Sequence, residues 1–335
     1  MVNVIEKMRR ALVRLNGLPK QISKVEHDLD LLKAQMADHN REMRLLLDAL
    51  SEPPQDLWKG KPHLIQGEPV RGVFDQAGMC RQDSFEEPYF SYWISQLGEA
   101  PRYHRKQWEF VFICQALWER GLLVDGKRAL GFGVGREPLT ALFASRGVSV
   151  TATDLAFDGA VDLGWTTTNQ HAEGKEALRK PWLCSDEIFD AKVDFRECDM
   201  NAIPQTLQGY DFCWSACALE HLGSIEKGLT FIERSVDCLA PGGWAVHTTE
   251  FNVSSNLETV DDMETVLFRR RDLEQLAQRL TAKGHIVTPI SWDAGSGPLD
   301  RYIDVAPYKA EPHLKLALNG FAATSIGFIV QRGGA

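Results

Sequence analysis

Apolar residues recur along this chain with two different periods. Near the N-terminus Ile22, Val25, Leu29, Leu32, Met36, Met43, Leu46 and Leu50 fall at heptad positions, with His39 completing the series. Glu26, Asp28, Lys33, Gln35 and Glu42 flank this seam. The pattern predicts residues 1–50 as a helical extension. Such a helix either pairs copies of the chain as a coiled coil, making a homo-oligomer through residues 22–50, or packs on its own chain. His39 reads as a polar position tolerated in the seam. Ser51 to Pro54 break the helix, and Pro62, Gly67, Pro69 and Gly72 mark residues 55–75 as a linker.

Further on, the period alternates between helix and strand. Gln107 to Gly121 reads as a helix, with Phe110, Ile113 or Cys114, and Leu117 on one face. Short β-branched or alternating runs follow at Ala129–Leu130, Val148–Thr153, Val193–Cys198, Tyr210–Ser215, Trp244–Glu250, His285–Trp292 and Thr324–Val330. Between them lie a helix opened by Pro138 and closed by Gly147, one with the stripe Ile225, Leu229, Ile232, Val236 and Leu239, and one over Arg271–Lys283. Strands alternating with helices predict an α/β fold with a mostly parallel sheet. The aromatics Phe85, Tyr89, Phe90, Tyr92, Trp93, Tyr103 and Trp108 precede the first strand; they either wall a substrate site or form core under the sheet.

Composition narrows the function classes. With 335 residues, 44% hydrophobic and 25% charged, the chain has the balance of a water-soluble globular protein with one large domain and appendages. A net charge of −9 disfavours nucleic acid as a partner bound through a general basic surface. Seven cysteines without a CxxC pair suit reduced thiols. No apolar run is long enough to span a membrane and no signal-peptide core is present, so the expected location is cytoplasmic.

The candidate chemistry centres on KRALGFGVGREPLTALFASRGVSVTATD, residues 127–154. A strand runs into Gly131, Gly133 and Gly135, where the backbone turns sharply, and a second strand ends at Asp154. Ligands of open α/β sheets bind in that crevice, and an acid after the second strand can hold ribose hydroxyls. The dinucleotide fingerprint fails in either register, because its sixth position is Arg136 or Pro138. That disfavours a nicotinamide oxidoreductase. Glu137 at the helix start opposes a pyrophosphate and suits a ligand carrying an amine.

This stretch resembles motif I and the following acid of the class I S-adenosylmethionine (SAM) dependent methyltransferases. Two further landmarks are similar to that family: the strand end SACALEHL (215–222), and the helix–PGG–strand passage around Pro241-Gly242-Gly243. The resemblance covers roughly residues 105–332. It implies a Rossmann-like methyltransferase sheet, mostly parallel with the last strand antiparallel, behind an N-terminal helical coiled-coil extension. The expected domains are 1–50 (coiled coil), 51–104 (linker and helical lid) and 105–335 (SAM-binding domain). It further implies SAM as cofactor, contacted by Gly131, Gly133, Gly135, Asp154, Asp199 at the adenine, Met200 and Ser215. The family usually has an acid where this chain has Gly131, a gap that Glu137 can fill.

Methyl transfer from a sulfonium is a direct displacement that requires alignment, exclusion of water and, for a hydroxyl acceptor, a base. Neighbouring parallel strands carry Glu220 and His221 after the fourth strand and Glu250 in the fifth. His221 is the expected base, with Glu250 and Glu220 beside it, unless its ring merely fixes the loop. His247 is expected to be buried in the strand. Together Glu220, His221, His247 and Glu250 do not match a familiar ligand spacing, so no metal is expected. The polar stretch 295–315, with Asp300, Asp304, Tyr308, His313 and Lys315, and the long excursion holding Trp165, Gln170 and His171, are candidates to contact an acceptor. The expected reaction is O-methylation of a small-molecule or glycan acceptor. N-methylation of an amine or peptide, or an inactive SAM-fold scaffold, are the alternatives.

Overall fold

In a computed structural model of the protein, residues 23–36, 38, 39, 41, 42, 45, 64–156, 172–261 and 264–334 are described. The chain divides into two compact units, 1–47 and 48–335. In the first, residues 23–36 are helical, and Val25, Leu29, Leu32 and Met36 of the expected seam are exposed. Ile22, Met43, Leu46 and Leu50 lie outside the described residues, as do Trp165, Gln170 and His171.

The second unit is built on one twisted sheet. Its strands are β1 (Arg128–Gly131), β2 (Ser149–Asp154), β3 (Val193–Glu197), β4 (Tyr210–Ala216), β5 (Leu239–Asn252), β6 (Ile286–Val287), β7 (Leu316–Leu318) and β8 (Phe321–Gln331). Their order is β3-β2-β1-β4-β5-β8-β6, with β7 paired to β8. Strands β1 to β5 are parallel, and β8 runs antiparallel to β5. This is the Rossmann-like arrangement expected. Chain order runs outward from β1 in both directions, so the crevice that receives ligands opens where β1 adjoins β4.

One expectation about strands changes. The run His285–Trp292 pairs only through Ile286 and Val287, because past Thr288 the chain leaves β8 to bridge Ala77. Pro241-Gly242-Gly243 turns the chain within β5, with Gly242 in the left-handed region at φ 80°, where the register on β4 shifts between Tyr210 and Phe212. Gly243 must lack a side chain there: a Cβ would stand 2.9 Å from the carbonyl oxygens of Ala240 and Asp211.

Helices cover both faces of the sheet. On one side α1 (Gln82–Glu86), α2 (Pro88–Leu97), α3 (Arg105–Glu119), α4 (Leu139–Ser145) and α5 (Asp186–Lys192) share a core with Phe212, Trp214 and Val246. Phe85, Tyr89, Phe90, Tyr92, Trp93, Tyr103 and Trp108 are all buried in that core, so these aromatics are packing rather than the wall of a site. On the other side α6 (Ile225–Asp237) and α7 (Arg270–Ala282) bury the stripes read from the sequence. Ser224 caps α6 by accepting the N–H of Lys227 at 3.2 Å, satisfying one of the donors a helix start leaves open. A short α8 (Pro298–Arg301) lies in the polar stretch before β7.

Candidate active site

The glycine loop leaves β1 with Gly133 and Gly135 in the left-handed region, at φ of 55° and 51°. Only glycine takes this conformation without strain. Asp154 secures the loop from the end of β2. Its Oδ2 accepts the N–H of Gly135 at 3.0 Å and of Ala172 at 3.1 Å, and its Oδ1 accepts from Leu155 at 2.8 Å. A Cβ on Gly133 would lie 2.9 Å from the Ala218 side chain and 3.2 Å from Met200 Sδ. The loops after β3 and β4 therefore close directly onto the glycine turn. Asp199 is exposed beside them, its Oδ1 accepting from the N–H of Asn201.

The structure explains Gly131. A Cβ there would stand 2.5 Å from the Trp214 ring, so no acidic side chain fits. The indole lies across the space, and its N–H donates to Glu137 Oε1 at 2.6 Å. A carboxylate thus reaches the crevice from the start of α4 instead of from β1. Burial pushes the Glu137 carboxyl up to about 8, against the opposing pull of the Trp214 N–H and Lys106.

Ser215, expected at the cofactor, is elsewhere. Its side chain is fully buried and meets His247 Nδ1 at 2.8 Å, while His247 Nε2 meets Ser235 at 2.9 Å. This chain ties β4 through β5 to α6. Residue 215 alternates away from the crevice, whereas Trp214 and Ala216 lie on the face of α3 and the α2 core. Both ring nitrogens of His247 are occupied, and burial lowers its pKa to about 3.

Beyond the ends of β4 and β5 lies a buried charged cluster. Glu250 on β5 bonds Arg105 at 2.5 Å (Oε1 to Nη2), and Lys106 lies 2.6 Å from Glu109. Ser325 on β8 donates to Glu109 at 2.6 Å. Glu220 accepts from the Thr249 hydroxyl at 3.0 Å. Lys106 also donates to the carbonyl of Ala216, binding α3 to the end of β4. His221 Nε2 stands 4.0 Å from Glu220, and its Nδ1 lies 2.8 Å from the carbonyl of Glu264. The structure thus brings Glu220, His221 and Glu250 together, as their strand positions predicted.

Burial raises the carboxyls of Glu220 and Glu250 to about 7, with Arg105 pulling Glu250 down. Two carboxylates this close titrate as a pair. Glu250 has the cation at bonding distance, which favours its charged form and leaves the shared proton on Glu220. The His221 ring is held below the ordinary histidine range, chiefly by burial. At neutral pH it is an uncharged base.

Sequence reasoning missed Arg105, Lys106, Glu109 and Cys217. The signal available was three charges within the first turn and a half of a helix that is otherwise apolar. The polar residues of 295–315 largely fold that segment onto itself. Lys315 donates to the carbonyls of Ala294 and Asp300, and His313 bonds Asp304 at 2.6 Å.

No protein-family profile matches this chain, and no curated protein matches its sequence. Among solved structures it is similar to phosphoethanolamine N-methyltransferase 2 of Haemonchus contortus in complex with SAM, at 21% identity and a TM-score of 0.34. That alignment covers 49% of this chain and 35% of that enzyme, so the chain spans about a third of its length. It is similar also to magnesium protoporphyrin IX methyltransferase of Synechocystis PCC 6803 with bound S-adenosylhomocysteine (12% identity, TM-score 0.41, 75% of this chain and 98% of that one). A third is the [4+2]-cyclase SpnF (17% identity, TM-score 0.43, 67% and 81%). At these scores the likenesses carry no argument about this chain. Its own strand order and site residues must.

Among the described residues no helix is long and apolar enough to cross a membrane.

Proposed function

We propose that this protein is a SAM-dependent methyltransferase that methylates a hydroxyl on a small-molecule or glycan acceptor. One observation carries the reading. At the β1–β4 crevice a glycine loop pinned by Asp154 touches the loop after β4, and that loop leads within a few residues to a buried cluster of acids, cations and a histidine.

The residues fit the cofactor. Gly133 and Gly135 offer bare backbone, Asp154 stands beside them at the end of β2, and Glu137 brings a carboxyl group to the start of α4. Asp199 stands exposed at the end of β3. When bound, SAM supplies an electrophilic methyl group on a positively charged sulfur. The protein's part is then to orient the acceptor and take its proton. Glu250, held by Arg105, positions an acceptor hydroxyl, and neutral His221 or the Glu220–Glu250 pair accepts the proton as the oxygen attacks. Met200 and Ala218 close over the loop and exclude water. An amine acceptor is the second reading, favoured by the excess of acids in the cluster, which suits a protonated amine before it loses its proton.

Calorimetric titration with SAM and S-adenosylhomocysteine, with NADH as control, tests the cofactor. Asp154→Ala is expected to weaken SAM binding tenfold or more. Asp154→Asn, which keeps part of the loop's hydrogen bonding, separates lost affinity from lost folding. Absence of binding by the folded wild-type protein to either compound would overturn the reading and favour a scaffold. Transfer of labelled methyl groups to hydroxyl and amine acceptor pools then decides the acceptor class.

We also propose that residues 22–50 pair copies of the chain. The exposed apolar row Val25, Leu29, Leu32 and Met36 supports this, because heptad-spaced side chains in water gain by covering one another.

A further inference from the structure

Cys217, Glu220 and Glu250 each offer one ligand atom, and these atoms all lie within 4.8 Å of one another. Internal bonding does not use them up. Glu220 Oε2 is taken by Thr249 and Glu250 Oε1 by Arg105, yet Glu220 Oε1 and Glu250 Oε2 are buried with no hydrogen-bond partner. The two residues are 1% and 4% exposed. A buried carboxylate oxygen without a donor is costly, and native proteins seldom keep one without a use. Here two share one spot. Cys217 joins them through an uncommon backbone: its φ of 50° is left-handed, which a non-glycine residue adopts at a cost. The cluster holds three carboxyl groups, Glu109, Glu220 and Glu250, against the two cations Arg105 and Lys106, so Glu220 and Glu250 share a proton that a bound cation would replace.

We propose that Cys217, Glu220 and Glu250 bind a divalent transition-metal cation of the Zn²⁺ type. Sulfur and carboxylate donors together suit borderline-soft cations. Mg²⁺ and Ca²⁺ instead favour all-oxygen shells. As the metal–ligand bonds form, the Cys217 thiol proton and the proton shared by Glu220 and Glu250 leave to solvent and no electron moves. The two negative charges so exposed are matched by the cation. Cys217 and His221 are partly exposed, which gives the ion a way in. His247, the other histidine of this region, is excluded because both its nitrogens are bonded. Resting on the methyl-transfer reading, the cation's task would be to bind the acceptor oxygen and lower its proton affinity.

The test uses the full chain, stripped with a chelator, kept reduced, and titrated with Co²⁺ as a spectroscopic stand-in for Zn²⁺. A thiolate-to-cobalt charge-transfer band is expected to saturate at one equivalent and to be displaced by Zn²⁺. Cys217→Ala should abolish it, and near-isosteric Cys217→Ser should do the same if the alanine variant does not fold. Glu220→Gln should weaken Co²⁺ binding about tenfold or more. No band in the wild-type protein, or a band that survives both Cys217 substitutions, overturns the proposal. SAM titration of the same samples keeps the two readings apart. A Cys217-dependent band without SAM binding would leave the metal site and sink the methyltransferase; SAM binding without a band would do the reverse.

Discussion

At the scale of single residues, Trp214 shows how one side chain can rewrite a motif. Its indole occupies the space over Gly131 and turns its N–H to Glu137, so the acid of the crevice comes from a helix start rather than from a strand. The consequence is measurable. The Glu137 carboxyl titrates near 8 in the folded protein and near 4.5 when unfolded. A raised carboxyl pKa gives stability that is complete below the unfolded value and is lost as pH rises through the folded one. Wild-type stability should therefore decline between about pH 4.5 and 8 relative to Glu137→Gln, and thermal melts of the two proteins across that range check it. Equal pH profiles would mean that Glu137 is not perturbed. The acid's place at the helix start was legible in the sequence. Its partner was not, because Trp214 lies 77 residues away.

At the scale of elements, α3 matters most. Its first turn and a half delivers Arg105, Lys106 and Glu109 beneath the ends of β4, β5 and β8, and the rest is mostly apolar and buried, with Gln115 and Glu119 as its polar members. Arg105→Met removes the cation from a buried carboxylate at Glu250. Breaking such a pair typically costs about 3–5 kcal/mol, because the remaining charge has no partner. Chemical denaturation at neutral pH should show a loss that stays below this range, because without Arg105 the buried Glu250 carboxyl takes up a proton. The helix itself was readable from its apolar period to within two residues at each end. The strands of the parallel half were readable too, since β-branched alternation and the glycines that end it are local signals. Of what they surround, the meeting of Glu220, His221 and Glu250 was readable from their strand positions, but Arg105, Lys106 and Ser325 join from segments whose contacts across the sheet no local period announces. Ser215 was misplaced for a related reason: alternation along β4 sends successive side chains to opposite faces, and one residue decides which face.

At the scale of the whole molecule, the two units present different kinds of surface. Residues 23–36 carry an exposed apolar row, while residues 48–335 keep large side chains such as Trp93, Trp214 and Phe328 inside. Deletion of residues 1–50 should convert a self-associated protein to monomer in light scattering and leave SAM affinity unchanged. An unchanged mass would defeat pairing through the seam. The heptad spacing was visible in the sequence, but whether like helices or the chain's own body covers it depends on contacts that one chain does not contain.

The stretch from Trp214 to Ala218 borders both of the proposed binding places. Trp214 and Ala218 press on the glycine loop, and Cys217 between them belongs to the acidic cluster. A ligand that shifts this stretch when it enters one side alters the energy of entry on the other. By linkage the factor is the same in both directions: whatever the first ligand does to the affinity for the second, the second does to the first. Titrating either place with the other filled would read out the free energy that joins the crevice and the cluster.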